Sequence, residues 1–229
     1  TVSPGGISVF ATATLSRAEG DDLDSVDGRG TLALIDAAAA QGVRHFIYTS
    51  FANIDSDFPL QRKKREIEAV LEEGRVPWTI LQPTHFLEVW FSPALGLDVA
   101  AGKARVLGTG ERPLHWVSFQ DVARIAVAVA KAGPQRKRLT FGGPEALSQR
   151  QVIGLFEAAL GRKLELEQVP EAALLAQLSA GNPLEKTFAG LMLCCSKGEP
   201  QQLDNGSLRG IHDVPLMSAR QFVAAAISV

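Results

Sequence analysis

One lysine occupies a helix position that should be apolar. In the stretch FPLQRKKREIEAVL, four residues spaced by four, three and four share one helix face: Leu60, Lys64, Ile67 and Leu71. Since the other three are apolar, this face should pack inward and carry Lys64 into the protein. An unpaired buried ammonium is costly, so Lys64 needs a partner. A nucleotide ribose or phosphate is one candidate, and Glu68 or bulk water are the others.

Three predicted strands end in residues that could contact a ligand. These strand ends are Ala11 to Thr14, Thr49 to Phe51 and Pro83 to Phe86, and each carries hydroxyl groups or a ring. In open parallel α/β sheets, ligands bind beyond the carboxyl ends of the strands. Lys64 lies on the helix that follows the second strand, and its long stem could reach the same crevice. The sequence therefore predicts a ligand site at this edge of a sheet.

The segments around these residues alternate between strand and helix. Short apolar or β-branched runs predict buried strands at ISVFATAT, VRHFIYTS, PWTILQP and RLTFGG. Helices are predicted between them, at TLALIDAAAAQG and in the basic segment that contains Lys64. This alternation is typical of βαβ units, and it predicts an α/β fold with a parallel sheet.

The second half of the chain has a different rhythm. Residues 84–117 contain Pro, Gly and several aromatics without a clean period, which predicts an excursion from the sheet. Two capped helices should follow, because Ser118 with Asp121 and Ser148 with Gln151 have the spacing of capping boxes. Helical stretches and the segment LELEQVP complete a smaller lobe.

Composition excludes several classes of protein. The chain has 229 residues, of which 46% are hydrophobic and 21% charged, with a formal net charge of −2. This favours a globular protein without a nucleic-acid-binding face, and the tract from Arg62 to Arg65 should be solvated except at Lys64. No apolar run reaches the roughly 18 residues of a membrane span. Adjacent Cys194 and Cys195 predict buried free thiols and a cytoplasmic location, and His115 and His212 lack companions for a metal site.

Several spaced motifs resemble the NmrA-like group of atypical short-chain dehydrogenase/reductases. GVRHFIYTSF, PLQRKKREIEAVL, VPWTILQPTHFLEVW and WVSFQDVARIAV occur in that family's order, followed by LTFGGPEALSQRQVIGLFEAALGR. The resemblance extends from about Gly6 to Val169. It implies the C-terminal part of a doubly wound parallel (Rossmann-type) sheet plus a smaller, mostly helical substrate lobe. The partial NAD(P)-binding domain should cover residues 1–143, including the excursion at about 84–117, and the lobe residues 144–229.

The resemblance also implies roles for individual residues. Lys64 matches the family lysine that holds the nicotinamide ribose of NADP or NAD. Together with the strand ends, it gives an expected cofactor-binding set of Ala11, Thr12, Ala13, Thr49, Ser50, Phe51, Lys64, Pro83, Thr84, His85 and Phe86. His85 is the candidate proton donor, with packing or hydrogen bonding as its alternative. Trp90 and Trp116 are expected to line a substrate pocket, with core packing as theirs.

The chain departs from the family pattern at four points. Catalytic short-chain dehydrogenases carry a tyrosine four residues before the lysine, where this chain has Leu60. Their companion serine, which polarises the substrate carbonyl, would align near Phe51 and is missing here. Gln82 replaces an arginine that is common in the family, which is a minor change. No GxxGxxG turn, whose amides would receive a pyrophosphate, accompanies ISVFATAT. We expect the chain to be the retained part of a longer one, with loss of dinucleotide binding as the alternative.

Two functions remain open at this point. The first is an NAD(P)H-dependent oxidoreductase that acts on a small carbonyl or quinone-like substrate, with Lys64 and His85 as its catalytic residues. The second is a non-catalytic NAD(P)-binding sensor or scaffold, favoured by the missing tyrosine and serine. The expected partner is a small molecule, and a homodimer or a protein partner is left open.

Overall fold

The computed structural model describes residues 9–12, 22–198, 203–208, 210–211, 213 and 215–227. Its strands are β1 Val9–Thr12, β2 Phe46–Thr49, β3 Trp78–Pro83, β4 His85–Phe86, β5 Leu97–Asp98, β6 Lys103–Leu107, β7 Pro113–Val117, β8 Arg138–Phe141, β9 Ala146–Ser148 and β10 Glu165–Val169. Its helices are α1 Thr31–Ala40, α2 Pro59–Glu73, α3 Leu87–Trp90, α4 Phe119–Ala132, α5 Gln149–Leu160, α6 Glu171–Ala180, α7 Pro183–Lys197, α8 Asn205–Leu208 and α9 Ala219–Ala226. A π-helical segment, Asp24–Gly30, precedes α1, and a 3₁₀ turn, Pro93–Leu95, follows α3.

The main sheet is parallel and has the strand order β1-β2-β3-β8. Every residue of β2 and β3 is buried, as expected for central strands of a sheet that is covered on both faces. On one face α1 and α2 pack against Tyr48 and Ile80. On the other face α4 packs against Ile47 and Leu81. The prediction of an α/β fold with a parallel sheet is therefore confirmed.

The excursion, residues 84–117, joins the C-terminal lobe through two further sheets. β10 pairs in parallel with β6, and β7 pairs antiparallel with β9. One apolar cluster spans both regions, with Phe91 and Trp116 from the excursion and Phe156 and Phe222 from α5 and α9. The boundary between residues 143 and 144 remains a prediction.

One of the two predicted capping boxes is present. Ser148 and Gln151 exchange side-chain and backbone hydrogen bonds at the start of α5, as predicted. Ser118 caps α4 by accepting from the backbone of Gln120, but Asp121 does not complete a box, so that prediction was wrong. The reason is tertiary, because the buried Asp121 carboxylate accepts a 2.6 Å hydrogen bond from the backbone N–H of Met217.

Cys194 and Cys195 are buried on α7 and neither is in a disulfide, as predicted. Within the described ranges, no group of three or more His, Cys, Asp or Glu side chains could hold a metal ion. None of the helices in the described part of the chain is long and apolar enough to cross a membrane.

Candidate functional site

A cavity of about 230 Å³ lies at the carboxyl ends of β2 and β3. Nine of the residues predicted for a cofactor or substrate line it: Thr49, Ser50, Phe51, Lys64, Pro83, Thr84, His85, Phe86 and Trp90. The other lining residues are apolar: Ala52, Ile54, Leu60, Val89, Leu95, Phe188, Leu191 and Met192. The structure thus brings two of the three predicted strand ends together with Lys64.

Lys64 is buried at the edge of this cavity. Its Nζ donates a 3.3 Å hydrogen bond to the carbonyl oxygen of Thr49 and lies 3.4 Å from Oδ1 of Asp27. It also lies 5.0 Å from the centroid of the Tyr48 ring. Burial lowers the pKa of Lys64, while the carboxylates of Asp27 and Glu68 oppose that shift. The inward direction predicted from the helix face is correct, and the alternative of a bulk-water partner is wrong.

Asp27 is the ion-pair partner of Lys64, and the sequence reading missed it. It lies in the π-helical segment and is buried. Gly30 allows this turn to close, since a Cβ there would lie 2.9 Å from the carbonyl oxygen of Ser25. The signal in the sequence that could have pointed to Asp27 is DGRG, an acid followed by two closely spaced glycines just before a helix. π-Helical turns are rare and occur frequently at functional sites.

His85 is buried beside the cavity with no hydrogen bond to either ring nitrogen from the described residues. Its ring centroid lies 5.1 Å from that of Trp90 and 5.7 Å from that of Trp116. Burial lowers the pKa of His85 to about 4, so the imidazole is neutral at pH 7. A neutral imidazole can donate one hydrogen bond and accept another. His85 can therefore bind a polar ligand atom, but at neutral pH it holds no excess proton to release.

The strand-end residues differ in how their polar groups are satisfied. The Thr49 hydroxyl has no hydrogen-bond partner among the described residues. Ser50 accepts a 3.0 Å hydrogen bond from Arg65 Nη2, which also donates to the carbonyl oxygen of Phe51. Arg65 is therefore held by the strand end, contrary to the expectation of a solvated side chain. The Thr84 hydroxyl donates to the carbonyl oxygen of His115.

Three of the remaining predicted residues, Ala11, Thr12 and Trp116, do not line the cavity. Trp116 is not among the described residues that line it. Instead, its indole N–H donates a 2.7 Å hydrogen bond to the carbonyl oxygen of Leu147, which fits the core-packing alternative. Ala11 and Thr12 lie in β1, paired with Tyr48 and Thr49 of β2. Ala13 lies outside the described residues.

Helix α7 supplies one wall of the cavity, through Phe188, Leu191 and Met192. It approaches α2 closely at Gly190, where any side chain would clash with the ring of Phe58. The sequence contained a helical pattern here, but it did not indicate which helix this one packs against. These three residues were therefore missed as site residues.

Comparison with known proteins identifies the family. A model described as the NmrA-like family matches residues 10–211. The chain belongs to the NmrA-like family. This confirms the resemblance carried by the motifs around Lys64. It also extends the match beyond Val169 into the C-terminal lobe.

Relatives of this NmrA-like chain include proteins named as a reductase and as an assembly factor. A (4-alkanoyl-5-oxo-2,5-dihydrofuran-3-yl)methyl phosphate reductase of Streptomyces griseus is 34% identical over 151 residues, which are 64% of this chain and 53% of that protein. Photosystem II assembly factor Ycf39 of Trieres chinensis is 28% identical over 171 residues, 71% of this chain and 51% of that protein. The NmrA-like chain thus spans about half the length of these curated relatives.

A solved structure confirms the fold class. The NADPH-dependent quinone oxidoreductase of Escherichia coli, determined in complex with NADPH, superposes with a TM-score of 0.72 at 21% identity. The match covers 96% of this NmrA-like chain and 76% of the other. At this level of identity the likeness establishes a shared Rossmann-like architecture.

Proposed function

We propose that this chain binds NAD(P)H beside Lys64 and reduces a small carbonyl or quinone-like substrate in the same cavity. The observation that carries the proposal is the buried Lys64 ammonium at the carboxyl ends of β2 and β3, on the edge of an apolar cavity. Ligands of open α/β sheets bind at this edge. The structurally similar Escherichia coli protein, a quinone oxidoreductase determined in complex with NADPH, supports the same assignment.

The residues of the cavity fit the nicotinamide end of such a cofactor. Thr49 Oγ1 and both ring nitrogens of His85 are buried polar atoms without partners among the described residues, as expected where a ligand completes their hydrogen bonds. Lys64 and Thr49 would hold ribose hydroxyls, and Pro83 to Phe86 would line the nicotinamide. The cavity, about 230 Å³, is smaller than the roughly 300–1,000 Å³ of sites that enclose a drug-sized ligand. It therefore suits the nicotinamide ring together with a small flat substrate, with the ribose at its edge and the pyrophosphate outside it. The sequence has no GxxGxxG turn that would hold the pyrophosphate.

The chemistry of the reduction divides between the cofactor and the chain. NAD(P)H supplies a hydride when it is bound. Phe51, Phe86 and Trp90 would hold a flat substrate and exclude water. The N–H of neutral His85 would donate a hydrogen bond to the substrate carbonyl oxygen, where negative charge develops. Lys64 would add a fixed positive charge on the same side, and the proton that completes the reduction would come from water.

A non-catalytic NAD(P)-binding sensor or scaffold is the second candidate. Among the described residues that line the cavity, Lys64 and His85 are the titratable ones, and His85 is neutral at pH 7. Leu60 lies where catalytic relatives carry their tyrosine acid. The name of the Trieres chinensis relative, an assembly factor, is consistent with a scaffold. A homodimer or protein partner and a cytoplasmic location remain predictions.

Cofactor binding and turnover separate these candidates. NADPH and NADH binding should be measured by titration, and oxidation should be followed with a panel of quinones and aldehydes. Lys64→Met should weaken cofactor binding at least tenfold. Lys63→Met is the matched control, since Lys63 is the neighbouring lysine and pairs with Asp24 at the surface. Binding without turnover on any substrate would overturn the reductase and leave the sensor, whereas absence of binding would overturn both.

A further inference from the structure

Two lysines of α2 bind two aspartates of the π-helical segment in very different surroundings. Lys63 Nζ lies 2.8 Å from Asp24 Oδ1, and the two side chains are 28% and 49% exposed. Lys64 Nζ lies 3.4 Å from Asp27 Oδ1, and these side chains are 5% and 1% exposed. The same two elements are thus joined by one surface pair and one buried pair.

Burying the pair of Lys64 and Asp27 costs free energy, so attachment of the segment alone does not explain it. Removing two charges from water costs free energy that their attraction only partly recovers, and apolar replacements of such pairs are often neutral or stabilising. Neither Asp27 oxygen has a hydrogen bond within the described part of the chain, so the carboxylate lacks the additional bonds that make burial of a charge favourable. Attachment of the segment is already provided by Asp24 and by packing. A requirement for charge at Lys64 explains why Asp27 is a carboxylate.

We propose that Asp27 is a positioning residue that acts through Lys64, anchoring its ammonium as a cation at the edge of the cavity. The inference rests on the proposed binding of NAD(P)H by Lys64. Asp27 reaches no lining position itself, so its effect must pass through the lysine. The Thr49 carbonyl oxygen, at 3.3 Å, and the Tyr48 ring, at 5.0 Å to its centroid, also lie beside the ammonium.

Among the described residues, the titratable groups that face Lys64 come from four elements, and only those of the π-helical segment and α2 are charged. Burial lowers the pKa of Lys64, and Asp27 of the π-helical segment provides the largest opposing effect. On α2 itself, Glu68 raises the pKa and Arg65 lowers it. From β2, Tyr48 stays protonated because its own pKa is raised. Across the cavity, His85 is neutral above pH 4. Without Asp27, the pKa of Lys64 should therefore fall further, and the cation would be lost at a lower pH.

The test compares Asp27→Asn with Asp24→Asn in the full chain, since both substitutions keep the shape and remove one charge. NADPH affinity should be measured from pH 6 to pH 10, with Lys64 followed by NMR through its Cε and Hε shifts. In Asp27→Asn, the alkaline loss of NADPH affinity and the Lys64 titration should both move at least one pH unit lower. One unit corresponds to a tenfold change in the ratio of charged to neutral lysine. Asp24→Asn should match the unchanged protein.

Several outcomes would overturn the inference. An unchanged Lys64 titration in Asp27→Asn would do so, and so would an equal shift in Asp24→Asn. The NMR measurement needs no cofactor, so it tests the pairing separately from NADPH binding. If the chain fails to bind NADPH at any pH but the Lys64 titration moves lower in Asp27→Asn, the proposed function is refuted and the pairing of Asp27 with Lys64 is kept. In a Lys64→Met background, Asp27→Asn should have no further effect on NADPH affinity.

A folding defect leads to an equally clear result. If Asp27→Asn does not fold, the buried lysine has lost its counter-charge, and the double variant Asp27→Asn/Lys64→Met should fold because both charges are gone. Failure of the double variant to recover would show that Asp27 acts independently of Lys64, and it would overturn the inference.

Discussion

Gln82 donates a hydrogen bond from its side-chain amide to Glu68, with 2.9 Å between Nε2 and Oε1. Glu68 is completely buried on α2, and it also pairs with Arg65 at 3.2 Å and with Arg138 at 3.5 Å. The other end of the Gln82 amide accepts a 2.7 Å hydrogen bond from the Thr140 hydroxyl. Gln82 thus links the buried Glu68 carboxylate, which two partly exposed arginines share, to Thr140 of β8. Where the family pattern has an arginine in β3, this chain supplies arginines to Glu68 from α2 and β8.

Replacement of Gln82 should destabilise the main sheet. Gln82→Met keeps the volume but leaves Glu68 and the Thr140 hydroxyl each without one hydrogen bond. A buried polar group left unsatisfied costs about 1–3 kcal/mol, and we expect the free energy of unfolding to fall by about that amount. Urea denaturation at pH 7 measures it. Gln177→Met, at an exposed position of α6, is the control and should change stability by less than about 0.5 kcal/mol. Equal effects of the two variants would refute a special role for the Gln82 amide.

Removal of the Lys64 charge should destabilise the protein more than removal of its neighbour's. Lys64→Met leaves the Asp27 carboxylate buried without its counter-charge, and breaking a buried pair in this way costs about 3–5 kcal/mol. Lys63→Met removes a partly exposed pair, which is worth about 0–1 kcal/mol. Urea unfolding curves of both variants at pH 7 test the difference. A loss below about 1 kcal/mol for Lys64→Met would contradict a buried ion pair between Lys64 and Asp27.

The inward lysine was predictable from sequence, and its partner was not. The direction of Lys64 follows from spacing within one helix, which is local information. Asp27 lies in a π-helical turn, where the register differs from the 3.6-residue period, and its contact with Lys64 depends on how two elements dock. The same distinction applies to the cavity. The residues at the strand ends can be predicted from the order of strands and helices along the chain. The wall that contains Met192 depends on how α7 packs against α2, which the sequence pattern does not indicate.

Titration of His85 should make the protein less stable in acid. The pKa of His85 is about 4 in the native state and about 6.5 in the unfolded state, so between these values the unfolded chain binds the extra proton. Stability therefore falls as the pH drops from about 6.5 to 4, by up to about 3 kcal/mol, and this group adds no further loss below that. Urea denaturation at pH 7.5 and pH 4.5 would reveal the effect.

His85→Phe provides the control for this pH dependence. It preserves an aromatic ring against Trp90 and Trp116 but cannot titrate. Burial also lowers the pKa of His45, which adds a loss of the same sign. The variant should therefore have a reduced difference in stability between pH 7.5 and pH 4.5, with some difference remaining. An unchanged difference would mean that His85 is protonated in the native state at acid pH.

Substitutions of Met192 should alter the choice of substrate if the cavity binds one. Met192→Ala enlarges the cavity at the wall that α7 contributes, while Met192→Leu keeps the side-chain volume nearly unchanged. Because a few methylene-sized atoms in an apolar pocket change discrimination by roughly tenfold or more, Met192→Ala should shift the ratio of kcat/KM for a two-ring over a one-ring quinone about tenfold toward the larger one. Met192→Leu should change that ratio less than about threefold. Steady-state kinetics with NADPH as reductant measures both ratios. If the ratio stays the same in Met192→Ala while the variant remains folded, the quinone does not contact this wall, and the substrate site must lie elsewhere.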